Sequence, residues 1–182
     1  MRVIAGKYKS LKLNSFESDE IRPTTDKVKE AVFSKIQFQL RNAKFLDLFG
    51  GTGAIGIEAI SRGADVYVCD KSSKSCAIIK DNYKRINIEP KLINCDYIRA
   101  IDRFQNLGIR FDICYLDPPY HTSFGVDAIN RIVDGNILNK NGLIIYEHLR
   151  ELPYSAGDKV EVVTRKDYGT ISVEYLKVRN DV

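Results

Sequence analysis

The chain has no uninterrupted apolar run long enough to cross a bilayer. Its first thirteen residues mix lysines with short apolar pairs and lack the apolar centre of a secretory leader. No membrane association and a cytoplasmic location are therefore expected. Cysteine is sparse and scattered. Cys69, Cys76, Cys95 and Cys114 contain no C-x-x-C pair, so reduced, mostly buried thiols are expected rather than disulfides or a zinc site. The two histidines, His121 and His148, are too few and too far apart in sequence to suggest a metal cluster, and no metal is expected. Repeats, low-complexity segments and linkers are also missing. One domain is expected over residues 1–182, with an N-terminal extension and loop over 1–22 and a core over 23–182.

What is present is an ordinary globular balance, 44% hydrophobic and 29% charged, with a net charge of only +4. The distribution of that charge says more than its sum. Residues 1–44 hold ten Lys/Arg against five Asp/Glu, whereas the rest hold eighteen against nineteen. The basic excess thus lies in the N-terminal quarter. It suits a footprint for phosphates and equally a merely soluble surface.

Along the chain, two short alternating stretches at 2–5 and 11–13 flank residues 6–10 and predict a small β-hairpin. Pro23, Thr24 and Thr25 supply a helix start with a threonine as N-cap, and Val28, Val32 and Ile36 recur every four residues, predicting a helix to about Leu40. From Lys44 the rhythm becomes strand, helix, strand. Strands are expected at 45–48, 66–69, 92–94, 111–116 and 143–146, with helices between them. Strands separated this way argue for a mostly parallel sheet covered on both faces. The tail alternates at 160–165 and 171–178 with too few residues between for a crossover helix, so an antiparallel hairpin should finish the sheet. The expected fold class is α/β, a Rossmann-like sheet of seven strands.

Two segments carry chemistry. Gly51-Thr52-Gly53-Ala54-Ile55-Gly56 follows a strand and opens a helix, and Asp70 closes the next strand. Glycines there let a ligand approach the backbone, and an acid at that position can accept both ribose hydroxyls. The pattern marks an adenosine-containing cofactor, with a nicotinamide dinucleotide and S-adenosylmethionine both open. Asp47 favours the latter, since its negative charge suits a cationic methionine end and would repel a pyrophosphate at the helix N-terminus. Phe49 lies in the lengthened turn. Asp96 is a candidate acceptor for the adenine amino group and equally an ordinary loop aspartate; Lys71 and Tyr97 beside these acids complete the candidate cofactor set.

Asp117-Pro118-Pro119-Tyr120, at the end of the fourth strand, decides between the cofactors. An exocyclic base amine is a poor nucleophile because its lone pair is delocalised into the ring. Two acceptors, the Asp117 carboxylate and the Pro118 carbonyl, can each take one N–H and turn the lone pair toward a methyl donor, and Asp117 also borders the cofactor. Pro118 and Pro119 restrict the backbone and lack N–H donors, while Tyr120 offers a face for stacking the extruded base. Transfer would rest on orientation and charge stabilisation, with no covalent intermediate.

These residues resemble the bacterial 16S rRNA guanine-N2 methyltransferases of the RsmD type. The resemblance runs from Arg2-Val3-Ile4-Ala5-Gly6-Lys7 through Arg22-Pro23-Thr24-Thr25-Asp26-Lys27-Val28-Lys29-Glu30 and Asp47-Leu48-Phe49-Gly50-Gly51-Thr52-Gly53. It continues in Glu58-Ala59, Ser61-Arg62-Gly63-Ala64, Asp117-Pro118-Pro119-Tyr120, Tyr146-Glu147 and Tyr168-Gly169. Gly50 departs from the alanine many relatives carry. The resemblance implies S-adenosylmethionine as cofactor, with Arg22 and Thr24 bordering its methionine end. It implies a guanine of 16S rRNA as substrate, in a small-subunit assembly particle. The N-terminal hairpin, with Arg2, Lys7, Lys9 and Lys12, would grip that RNA. A DNA adenine-N6 methyltransferase would use the same Asp117 tetrad, but no inserted target-recognition region is present. A non-catalytic RNA-binding assembly factor keeping the fold is the alternative from another class, and a nicotinamide oxidoreductase a more distant one.

Overall fold

Apolar residues spaced three and four apart, or alternating, build the elements of the computed structural model, which describes residues 1–16, 23–152 and 157–179. The helices are α1 (Pro23–Ile36), α2 (Ala54–Ser61), α3 (Ser73–Lys84), α4 (Tyr97–Asn106) and α5 (Phe124–Asp134). The strands are β1 (Lys44–Asp47), β2 (Asp65–Cys69), β3 (Lys91–Ile93), β4 (Phe111–Leu116), β5 (Leu138–Leu149), β6 (Val160–Tyr168) and β7 (Ile171–Val178). Seven strands form a mixed sheet in the order β3-β2-β1-β4-β5-β7-β6, as the alternation of elements leads one to expect. The chain falls into two compact units, Met1–Asp96 and Tyr97–Val182.

In the first unit β1, β2 and β3 pair in parallel. The i, i+4 stripe of α1, with Val28, Val32 and Ile36, is buried together with Phe33. Two expectations are corrected here. The helix begins at Pro23, so the threonines stand inside its first turn and not before it; proline suits that place because its missing N–H would have had no partner. The helix also stops at Ile36 and tightens into a 3-10 turn, Gln37–Gln39, before Leu40.

The N-terminal stretches pair as a short antiparallel hairpin, with one bridge between Arg2 and Lys12. Backbone hydrogen bonds close it around that bridge: Val3 N–H donates to the Leu11 carbonyl at 3.0 Å, Ser10 N–H to the Val3 carbonyl at 2.9 Å and Leu13 N–H to the Met1 carbonyl at 3.1 Å. The N–H groups of Ile4 and Ala5 donate to the Glu58 carboxylate at 2.7 and 3.1 Å, and that of Lys7 to the Ser61 carbonyl at 2.8 Å. Both acceptors belong to α2, so the hairpin is held along that helix.

In the second unit β4 pairs in parallel with β5, and β5, β7 and β6 pair antiparallel. Strand β5 starts five residues earlier than the apolar run at 143–146 suggests. Asn139, Lys140, Asn141 and Gly142 look like a turn in sequence, yet Leu138 pairs with Phe111 ahead of a register shift. The four cysteines are free thiols, three buried and Cys95 half-buried. Among the described residues, no helix is long and apolar enough to cross a membrane.

Candidate active site

Strand β1 ends at Asp47 and α2 begins at Ala54; the six residues between form the glycine loop. Its shape is held by its own backbone. The Gly50 N–H reaches the Cys69 carbonyl at 2.8 Å, and the Gly53 N–H the Gly50 carbonyl at 2.7 Å. Gly51 and Gly53 have φ of 55° and 78°, left-handed values that a side chain would strain. A Cβ on Gly51 would meet nothing within 4 Å, so open space lies beside the loop. Gly56 has a different reason to be glycine: a Cβ there would come within 2.4 Å of the Tyr83 hydroxyl. It lets α2 lie close against α3 and β2.

Two candidate acids of the first unit, Asp47 and Asp70, are engaged with backbone. Asp47 is 1% exposed, and its Oδ2 accepts from the Gly56 N–H at 3.2 Å, placing negative charge at the N-terminus of α2. Burial, and after it the Asp47 charge, pushes the Tyr83 phenol well above its usual range. Asp70 is half-buried and joins loop to strand: Oδ2 accepts from the Gly51 N–H and Oδ1 from the Ser72 N–H, both at 2.8 Å. Each oxygen keeps a further lone pair. Phe49 and Asp96 are half-buried and Lys71 is exposed. Arg22 lies outside the described residues, and of Thr24 only the backbone, within α1, is described.

Around the loop the structure adds residues that the motifs do not announce. Asn82 of α3 is fully buried; its Nδ2 donates to the Thr52 carbonyl at 2.9 Å and to the Asn14 carbonyl at 3.0 Å, while its Oδ1 accepts from the Asn14 N–H at 2.7 Å. One side chain thus ties the glycine loop to the N-terminal segment. Nothing in the sequence singles it out.

Glu58 has the larger role. It is fully buried, and besides Ile4 and Ala5 it accepts from Arg62 Nη2 at 2.8 Å, with Lys29 Nζ at 3.9 Å. Lys29 also donates to the Arg2 carbonyl at 2.6 Å. Burial lowers the Lys29 pKa, opposed by the charges of Glu58 and Asp26. One signal was available, since Glu58 is the lone charge within the apolar helix Ala54–Ser61. Arg2, Lys7, Lys9 and Lys12 are all exposed on the segment held in this way.

In the second unit Asp117-Pro118-Pro119-Tyr120 follows directly on β4. Pro118 is buried while Asp117 and Pro119 are exposed and Tyr120 is half-buried. The buried proline anchors the segment and leaves the carboxylate facing outward. The Pro119 carbonyl accepts from the Thr122 hydroxyl at 2.7 Å, and His121, exposed, has φ of 60°. Tyr97 donates its hydroxyl to Asp127 at 2.8 Å and its ring packs on Phe124 at 5.4 Å. Gly125, in the first turn of α5, faces the Tyr146 ring so closely that a Cβ would lie 2.2 Å from it. His148 stacks on the same ring at 5.0 Å and lies 3.5 Å from Glu174. Among the described residues no group of three or more His, Cys, Asp or Glu is placed to hold a metal ion.

The family model described as "Conserved hypothetical protein 95" matches residues 1–177. The "Putative rRNA methyltransferase YlbH" of Bacillus subtilis is 36% identical, over 98% of this chain and 100% of its own length. The "Ribosomal RNA small subunit methyltransferase D" of Haemophilus influenzae is 30% identical over 94% of this chain and 91% of its own. A solved structure from the same organism, "putative methylase HI0767", is 27% identical, covers 96% of both chains and superposes with a TM-score of 0.81.

Proposed function

From its membership of the conserved hypothetical protein 95 family, to which this chain belongs, we infer an enzyme that transfers a methyl group from S-adenosylmethionine to the exocyclic N2 of a guanine in 16S rRNA. The reading is supported at three levels. Relatives aligned over nearly the whole chain are named as rRNA methyltransferases. The glycine loop has open space beside Gly51 and an acid, Asp70, bound to that loop. The observation that carries it is the exposed Asp117 carboxylate on a segment anchored by the buried Pro118.

S-adenosylmethionine, when bound, supplies a methyl group on a sulfonium cation. The loop residues Gly51 and Gly53, with Asp47, Phe49, Asp70, Lys71, Asp96, Tyr97, Arg22 and Thr24, are the proposed contacts to it. Asp70 suits the ribose because each of its oxygens retains an acceptor site after binding Gly51 and Ser72. Asp47 suits the cationic methionine end through the field of its buried charge, which a dinucleotide pyrophosphate would find repulsive. Asp117 and the Pro118 carbonyl hold the two amino protons of the target base, Pro119 stiffens the turn and Tyr120 stacks on the ring. As positive charge develops on the nitrogen, the Asp117 carboxylate stabilises it. The basic N-terminal segment, with Arg2, Lys7, Lys9 and Lys12, tracks phosphates of the RNA. A partly assembled small-subunit particle in the cytoplasm is the proposed setting, and no metal is required.

The test is methyl transfer from labelled S-adenosylmethionine to small-subunit particles, naked rRNA and DNA, with nucleoside analysis of the product. Label in N2-methylguanosine, lost in Asp117→Ala, is the expected result. Label in N6-methyladenine of DNA would overturn the substrate while keeping the chemistry. Cofactor binding without transfer to any of the three would overturn the enzymatic reading.

A further inference from the structure

Phe38 is the most exposed large apolar side chain among the described residues, at 92%. Single exposed apolar residues are common, but the setting of this one is not. It occupies the middle of the 3-10 turn between Ile36 and Leu40, which are both buried. The ring is therefore presented outward by backbone that is fastened on either side. Residues 31–46 contain Lys35, Arg41 and Lys44 and no acid, and all three cations are exposed. Lys35, in the last turn of α1, and Arg41, just past the 3-10 turn, stand three residues to either side of Phe38.

This patch lies at the amino end of β1, whereas the glycine loop follows its carboxyl end. The four residues of β1 separate them by roughly 10 Å. The patch is thus distinct from the proposed cofactor contacts. An outward aromatic face among cations, with no acid in that stretch of sequence, matches unpaired RNA: any base can stack on the ring, and the cations meet the flanking phosphates.

We propose that Phe38, with Lys35, Arg41 and Lys44, is an accessory docking site for a single-stranded segment of RNA, one unpaired base stacking on the Phe38 ring. The inference rests on the reading of this chain as an rRNA-modifying enzyme, and gives that enzyme a second contact away from its chemistry.

The chain contains no tryptophan, so Phe38→Trp installs a single indole reporter at the site. Titration of this variant with a short oligouridylate is expected to quench its emission with saturation. With a fluorescein-labelled oligouridylate, Phe38→Ala and Phe38→Leu are expected to bind roughly tenfold more weakly, and Phe38→Tyr close to the parent. The double variant Lys35→Ala/Arg41→Ala should flatten the slope of log affinity against log salt by about one unit. All these changes are at exposed positions, so melting temperature and cofactor-induced thermal shift should stay at parental values. Indole emission that stays constant while anisotropy saturates would overturn the proposal, as would a parent that does not bind the oligouridylate at low salt. Unchanged oligouridylate binding by Phe38→Ala, with reduced methyl transfer only on protein-containing particles, would assign the patch to a protein and also overturn it. Failure of the enzymatic reading looks different: the oligouridylate binds through Phe38, yet no methyl group is transferred to any substrate.

Discussion

Of the four carboxylates buried among the described residues, Glu58 in the first unit and Glu147 in the second are kept in different ways. Glu58 in the first unit accepts from two backbone N–H groups and the Arg62 guanidinium, with Lys29 nearby. Glu147 in the second unit accepts from the Tyr115 hydroxyl, and burial pushes its pKa up to about 7. Donors and positive charge compensate the desolvation of the first; the second, with fewer, is poised between charged and neutral forms at physiological pH. A buried acid is thus a structural anchor or a titrating group according to the donors around it, and residue type alone does not say which.

The largest effect is expected on the anchored acid. Glu58→Ala leaves the Arg62 guanidinium and two backbone N–H groups without this acceptor and removes the negative charge beside buried Lys29, and should cost about 3–5 kcal/mol in urea unfolding. The same variant should loosen the N-terminal segment, read as faster hydrogen exchange at Ile4 and Ala5. Parental exchange there would break the comparison by showing that Glu58 does not hold the segment.

Glu147 makes stability depend on pH. Its folded pKa of about 7 lies above the ordinary 4.5, so the folded protein binds the extra proton between those values. Stability should therefore fall as pH rises from about 4.5 to about 7 and level off above, by up to about 3 kcal/mol from this group. Glu147→Gln should remove that slope from urea midpoints collected at pH 5 and pH 8. A slope of the same size in the variant would assign it to other groups.

A smaller change is expected from Tyr115→Phe, which removes the hydroxyl that bonds Glu147. The loss of one buried hydrogen bond should cost about 1–3 kcal/mol. It should also move the midpoint of the Glu147 titration upward, because the ionised form loses its donor. A midpoint that moves down would mean that the hydroxyl serves the neutral acid. The smallest effect belongs to an exposed pair, Lys159 and Asp134 at 2.5 Å. Lys159→Ala should change stability by no more than about 1 kcal/mol.

Much of the fold was legible because its signals are local. The apolar periods at 111–116 and 171–178 gave both strand ranges as they stand in the structure. The short link between 165 and 171 was enough to exclude a crossover helix, and β6 and β7 pair antiparallel. The start of β5 was missed where a nonlocal partner overrode a local pattern. Residues 139–142 look like a turn and belong to β5 because a neighbouring strand pairs with Leu138. The stretches 2–5 and 11–13 do pair antiparallel, but their attachment to α2 through Ile4 and Ala5 was not legible in them.

The candidate site divides along the same line. The glycine loop and Asp117-Pro118-Pro119-Tyr120 are contiguous in sequence, and their chemistry can be read from adjacent residues. Asn82 contacts Asn14 across 68 positions and Glu58 contacts Ile4 across 54. No window of local pattern reports on such pairs.

The sequence by itself determined the order of strands and helices, the turn that exposes backbone after β1, and the acid and prolines after β4, because each depends on neighbouring residues alone. Only the tertiary structure decided that Glu58 is an anchor and Glu147 a titrating group, that the basic N-terminus lies along α2, and that Phe38 faces outward while Phe33 and Phe45 are buried. Burial and hydrogen-bond partnership depend on which distant surfaces meet, and the free energy of a charge or a ring follows from that meeting.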